Sequence, residues 1–229
     1  SASYDPDGTI VGYSWDFGDG TNATGVIVDH FYTDDGIYTV TLTVKDDDGA
    51  TSTSSATETI LNRSPIASFS ESATTVYTDE IVHFDASSSN DSDGYIAGYF
   101  WDFGDGSNAT GVMADHAYAD DGNYTVTLTV IDDDGASSSS SAIKKVLNRS
   151  PLASFIYSPD FPAANETVTF NASDSHDLDG YIINYTWDFG DGNITTVSTP
   201  TITHIYVAEG NYIVTLTVTD DDNATGNMI

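Results

Sequence analysis

Apolar and polar residues alternate one by one along several short stretches of this chain. Tyr124, Val126, Leu128 and Val130 are separated by Thr125, Thr127 and Thr129, the period of a strand with one face inside. Residues 81–84 (IVHF) and 95–103 (YIAGYFWDF) read the same way, and 65–69 (PIASF) opens with proline, as a first or edge strand allows. Turn chemistry separates these runs: SDG, GDG, DDG and DDDG. No stretch carries a convincing 3.6-residue period. The pattern predicts an all-β chain.

The alternation recurs because the chain repeats. WDFGDG starts at Trp15, Trp101 and Trp187, at intervals of 86 residues. DPDG (5–8), DSDG (91–94) and DLDG (177–180) precede it, and YTVTLTVKDDDG, YTVTLTVIDDDG and YIVTLTVTDDDN follow it. Residues 1–60 and 87–146 agree at 41 of 60 positions, and the third copy carries two extra residues in its TTVSTPTITH stretch. A period of this length is one small domain, not a solenoid unit. Three units are expected: 1–61 lacking its first strands, a complete 62–147, and 148–229, nearly complete but lacking most of its final strand. Six or seven short strands per unit with a buried Trp fit tandem immunoglobulin-like β-sandwiches, with Tyr38, Tyr124 and Tyr212 placed for a tyrosine corner.

The chain reads as a mature or excised segment. The first copy lacks any counterpart of 63–86. A sandwich without two strands leaves its core wet and its edges unpaired, and the margin to lose is only about 5–15 kcal/mol. The first copy is therefore expected not to be stable alone. The missing strands would come from a longer array or from an identical neighbouring subunit, and donation between subunits would join them head to tail in a filament.

The combination of WDFGDG, His-x-Tyr (His30/Tyr32, His116/Tyr118, His204/Tyr206) and G-x-Y-x-V-T-L-T-V-x-D resembles the polycystic kidney disease (PKD) domain family over essentially the whole chain. The resemblance implies an immunoglobulin-like sandwich of the kind found on archaeal and bacterial surface proteins and as accessory modules of secreted hydrolases.

The DxDG loops put two carboxylates on one side of a tight turn, the way oxygen ligands grip a hard cation. An EF-hand would need a further acid, a closing Glu and flanking helices, and these are missing. A solvated Asp-Gly turn is the plainer alternative, but the loop returns three times beside another acidic turn. Resemblance to calcium-binding PKD domains implies a ligand set of both DxDG acids, the first Asp after the TLTV strand, and an Asn at the start of the domain. These are Asn62, Asp91, Asp93 and Asp132 in the middle copy, and Asn148, Asp177, Asp179 and Asp220 in the third. The first copy offers Asp5, Asp7 and Asp46. Ca²⁺ is the expected cation, since Mg²⁺ rarely uses a dedicated protein cage, and a site between linker and loops would stiffen the array.

WDFGDG holds paired carboxylates (Asp16/Asp19, Asp102/Asp105, Asp188/Asp191), but Gly-Asp-Gly leaving a strand is first a turn. The equivalent His residues read as partly buried, hydrogen-bonded groups, because a triad needs a nucleophile and a concave site. No enzymatic activity is expected.

Of 13 Asn, 11 begin N-x-S/T, where chance predicts about three for a chain that is about a quarter Ser and Thr. Asn62 and Asn148 precede Arg-Ser-Pro, a poor acceptor context. Glycans are expected among Asn22, Asn90, Asn108, Asn123, Asn165, Asn171, Asn184, Asn193 and Asn223. Dense N-glycans place a chain outside a cell. Without cysteine there are no disulfides and no thiolate sites, which suits an archaeal surface protein better than a secreted animal one.

Charge narrows the field further. Five Lys+Arg against 36 Asp+Glu give −31 over 229 residues, with 31 of the acids Asp. Nucleic-acid and anionic-membrane contact both need clustered cations, so neither is expected. No run of 18 apolar residues offers membrane insertion. The acidity keeps a surface hydrated, as high salt requires. The leading expectation is an extracellular structural protein: tandem, calcium-stiffened, glycan-coated modules in a surface layer, stalk or filament. An adhesive or carbohydrate-binding accessory module of a larger secreted hydrolase or adhesin is the alternative.

Overall fold

The computed structural model describes residues 3–229 and contains only strands, turns and loops among them. Strands β1 (Ile10–Asp16), β2 (Asn22–Thr24), β3 (Gly36–Asp46) and β4 (Thr51–Ile60) form one sheet in the order β2-β1-β3-β4. The middle unit has eight: β5 (Ser70–Glu71), β6 (Thr75–Tyr77), β7 (Val82–Asp85), β8 (Ile96–Asp102), β9 (Asn108–Thr110), β10 (Met113–His116), β11 (Gly122–Asp132) and β12 (Ser137–Leu147). They make two sheets, β6-β12-β11-β8-β9 and β10-β7-β5. In the third unit β13 (Ile156–Ser158), β14 (Thr167–Asn171) and β17 (Thr201–Ile205) form one sheet. Its other sheet joins β15 (Ile182–Asp188), β16 (Ile194–Val197), β18 (Thr215–Asp220) and β19 (Thr225–Met228).

The period-2 pattern sorts side chains as two-sheet packing requires. Inward Trp101, Val126, Leu128 and Val130 meet Val82 and Phe84 from the facing sheet and are buried. Outward Thr127 and Thr129 hydrogen-bond Ser141 and Ser139 across the strands at 3.0 and 2.9 Å, so the outer face is a hydroxyl surface. In the first unit only one sheet is present among the described residues. Trp15, Val40, Leu42 and Val44 are accordingly half-exposed, although they have the same identities as the buried set.

PIASF is not a strand. Only Ile66 bridges, to Asn90. The Ala67 and Ser68 amides instead donate to Ser138 Oγ (2.9 Å) and Ser89 Oγ (3.0 Å). Side-chain acceptors take donors that a ladder would use, and the strand begins later, at Ser70.

WDFGDG is a turn locked by its own carboxylate. Gly104 has φ +83°, and a Cβ there would meet the Thr125 carbonyl oxygen at 2.7 Å, so only glycine fits. Asp105 accepts from the Ser107 amide at 2.9 Å and pairs with His116 Nε2 at 2.7 Å. His116 stacks on Phe103 (4.2 Å between centroids), and the Tyr118 hydroxyl donates to the Phe103 carbonyl. The first and third units repeat the pair at 2.7 and 2.8 Å. Hydrogen bonds from Thr21, with burial opposing and His30 adding to the effect, hold Asp19 down at about 2. Tyr38, Tyr124 and Tyr212 each donate to the carbonyl four residues upstream at 2.9–3.1 Å, which is a tyrosine corner.

The third unit's insertion has a local cost. Trp15 and Trp101 donate Nε1 to Gly25 and Gly111 carbonyls. The fully buried Trp187 finds no acceptor, because the inserted stretch replaces that glycine turn.

The middle core holds one charged pair. Lys144 on β12 is fully buried, with Nζ 2.6 Å from Glu71 Oε2 on β5, so the pair joins the two sheets. Lys144 also lies 5.6 Å from the Phe84 ring centroid. Breaking one half of such a pair leaves a buried charge, whereas replacing both halves with apolar residues removes the desolvation cost. Glu71→Gln is expected to destabilise the middle unit by about 3–5 kcal/mol, and Glu71→Leu with Lys144→Met to be neutral or stabilising. Native-state hydrogen exchange of β11 and β12 amides in the full chain reads both, and a double variant worse than the single one would overturn the argument.

Candidate functional site

One pole of each unit gathers the DxDG loop and the DDD turn. A β-bulge brings them together: register slips between Ile10 and Gly12, between Ile131 and Asp132, and between Ile182 and Asn184, the same place in each unit. Bulges re-aim side chains at sheet ends. The slip sets Asp46, Asp132 and Asp220 opposite Ile10, Ile96 and Ile182, at the foot of the DxDG loops.

In the middle unit Asp132 is 2% exposed. Its Oδ1 accepts from the Ala136 amide (2.7 Å), closing the DDD turn, and its Oδ2 accepts from Asn62 Nδ2 (3.1 Å). Asp93 Oδ2 accepts from the Arg63 amide at 2.9 Å, which ties the linker to the loop. Asp91 Oδ1 is buried without a hydrogen-bond partner. Burial and the adjacent Asp93 carboxylate push Asp91 above the ordinary carboxylate range, against amides of the loop that pull it down.

The third unit repeats this set. Asp220 is fully buried, with its Oδ1 accepting from Ala224 N (2.7 Å) and its Oδ2 from Asn148 Nδ2 (3.1 Å). Arg149 N donates to Asp179 Oδ2 at 2.9 Å. Asp177 Oδ1 and Asp179 Oδ1 are both buried and unpartnered. Burial first, then Asp179, raises Asp177.

The structure therefore brings Asn62, Asp91, Asp93 and Asp132 to one pole, and Asn148, Asp177, Asp179 and Asp220 to another. In the first unit Asp46 closes its turn through Ala50 N at 2.7 Å, and Asp5 accepts from the Asp7 amide at 3.3 Å. Asp7 is exposed there.

Sequence reasoning missed the second acid of each DDD turn. Asp47, Asp133 and Asp221 accept from the amides of Thr9, Tyr95 and Tyr181 at 2.8–2.9 Å, pinning the two loops together. They also explain the loop glycine: a Cβ on Gly94 would collide with the Asp133 carboxylate. Recurrence of the second Asp in all three copies was the available signal. Junctions between units carry a further pairing. Asp134 is raised to about 6 by sharing a hydrogen bond with Asp35 of the preceding unit, and Asp222 to about 6 by sharing one with Asp121.

Among the sequon positions, Asn22, Asn90, Asn108, Asn123, Asn165, Asn193 and Asn223 are exposed, while Asn171 and Asn184 are half-buried. Asn171 Oδ1 already accepts from the Ser173 amide and hydroxyl at 2.9 and 2.6 Å. No helix among the described residues is long and apolar enough to cross a membrane, which says nothing of β-barrels.

Comparison with known proteins gives partial relatives. The chain is 35% identical to collagenase ColA of Clostridium perfringens over 122 residues, covering 52% of this chain and 11% of that protein. It is 38% identical to the pre-pro-metalloprotease PrtV of Vibrio cholerae over 136 residues, covering 59% of this chain and 14% of that protein. The chain thus spans only about a tenth to a seventh of those relatives' length. Among solved structures, the PKD1 domain of PrtV from Vibrio cholerae matches at 37% identity and TM-score 0.33, covering 37% of this chain and 98% of that domain. The PKD1 domain of Vibrio anguillarum Epp matches at 32% and 0.34, covering 38% and 96%. The family model described as PKD domain matches residues 1–60, 62–146 and 148–228 in turn, so the chain belongs to the PKD domain family as three tandem copies.

Proposed function

We propose that this chain is a non-enzymatic, extracellular run of PKD modules, stiffened by Ca²⁺ at the module poles, and that it serves as an accessory part of a larger protein. The observation that carries the cation reading is the set of buried, unpartnered carboxylate oxygens at Asp91, Asp177 and Asp179. A buried acceptor without a donor is costly unless something cationic faces it. Carboxylates from two loops and an Asn on the linker would offer an all-oxygen donor set, the chemistry of a hard cation. Asn62 and Asn148 would present their side-chain oxygen after rotation of the amide, whose two ends are interchangeable in shape.

The accessory role is supported by the relatives, which are collagenases and metalloproteases far longer than the matched segment. Surface-layer, stalk and filament assembly, head to tail between modules or identical subunits, rests on the repeat alone. Covalent N-glycans on the exposed sequons would suit the same extracellular setting.

Calorimetric titration of the full chain with Ca²⁺ is expected to find two ions. Asp91→Ala with Asp93→Ala should remove one, and Asp177→Ala with Asp179→Ala the other. Free Ca²⁺ at about 100 times Kd should stabilise each occupied module by about 2.7 kcal/mol, so EDTA lowers Tm. Unchanged stoichiometry in the variants would sink the ligand assignment. Intact-mass measurement of natively sourced protein is expected to show glycans on several of the exposed sequons and none on Asn62 or Asn148. A mass equal to the bare chain would remove the support that glycans lend to the extracellular setting.

A further inference from the structure

The third module's acidic pole does not belong to that module alone. Thr78 sits in the turn after β6, in the middle module, and is fully buried. Its hydroxyl donates to Asp179 Oδ2 at 2.8 Å, across 101 residues of chain. Arg149, in the linker between the modules, donates Nε to the same hydroxyl at 3.1 Å and Nη2 to the Thr78 carbonyl at 2.8 Å. The guanidinium also lies over the Tyr77 ring, 5.7 Å from its centroid. The hydroxyl thus accepts from Arg149 and donates to Asp179, so each bond polarises the next.

We propose that the third module's cation site is a shared site, in which Thr78 of the middle module and Arg149 of the linker hold Asp179 in place, so that filling the site locks the joint between the two modules. This rests on the cation reading given above. Asp179 divides its work by oxygen atom. Oδ2 takes Thr78 Oγ1 and Arg149 N, while Oδ1 is buried and unpartnered. A cation on Oδ1 leaves the Thr78 bond intact. It also offsets the repulsion that Asp177 feels from Asp179 and Asp220. By linkage, whatever affinity the joint lends the cation, the cation returns to the joint. Thr78 is a positioning residue here. Substitutions behind a metal ligand weaken binding about tenfold or more.

The chain has no cysteine, so nitroxide labels at Ser139→Cys and Thr195→Cys, one exposed position in each module, report the joint cleanly. Pulsed dipolar spectroscopy would record the distance distribution with Ca²⁺ and with chelator, and calorimetry would count ions in the same samples. Ca²⁺ is expected to narrow the distribution in the labelled parent. In Thr78→Val two ions should still bind, the third-module site about tenfold more weakly, and the distribution should stay broad. Thr78→Ser should behave as the parent. Arg149→Met, which leaves the buried threonine untouched, should lose the narrowing and keeps the test decisive if Thr78→Val fails to fold. Two bound ions with a distribution equally narrow in chelator would overturn the shared site while leaving the cation reading intact, and so would a Thr78→Val chain that narrows like the parent. No ion bound at all would bring down the cation reading and this proposal with it.

Discussion

Like charges crowded into a small volume are the constraint on which these modules are built. Asp91, Asp93 and Asp132 converge at one end of a sandwich, and Asp177, Asp179 and Asp220 at the same end of the next. Carboxylates so close raise each other's energy unless donors or a cation face them. The fold answers with backbone amides. Ala136, Arg63 and Tyr95 each donate to a different Asp of the middle set or its hinge. That leaves a few oxygens, deep in the pole, without any donor.

The linker is part of this solution. Asn62 and Arg63 reach the Asp132 and Asp93 carboxylates, and Asn148 and Arg149 do the same one module on. The path of the chain between modules is therefore set by the same groups that hold the pole together. The joint between modules and the acidic pole share atoms. The WDFGDG turns stand apart from this. Their second Asp carboxylates are satisfied by His and by turn amides, which commits them to holding the sandwich edge.

The first unit shows how much a second sheet contributes. Its sheet has the strand order and registers of its counterpart in the middle unit without the added edge strand β6, and the same Trp and Val/Leu positions. Yet those side chains are half-exposed, because burial depends on a facing layer and not on the identity of the residue. Phe17 remains buried since His30 stacks on it at 3.9 Å from within the same sheet-and-loop unit.

What the sequence by itself determined was local and periodic. The two-residue alternation specified strands, the 86-residue recurrence specified modules, and Asp-x-Asp-Gly specified which acids stand together in a turn. These are properties of neighbours in the chain, where geometry follows from the backbone. PIASF misled because its amides are taken by Ser138 and Ser89, residues remote in sequence. Only the tertiary structure decided that Asp133 pins a loop 38 residues away, that Lys144 is buried against Glu71, and that Thr78 closes on Asp179. Such contacts depend on which strands pair and which faces meet. A side chain's partner across 40 to 100 residues is set by the packing of whole sheets, and no spacing along the chain encodes it.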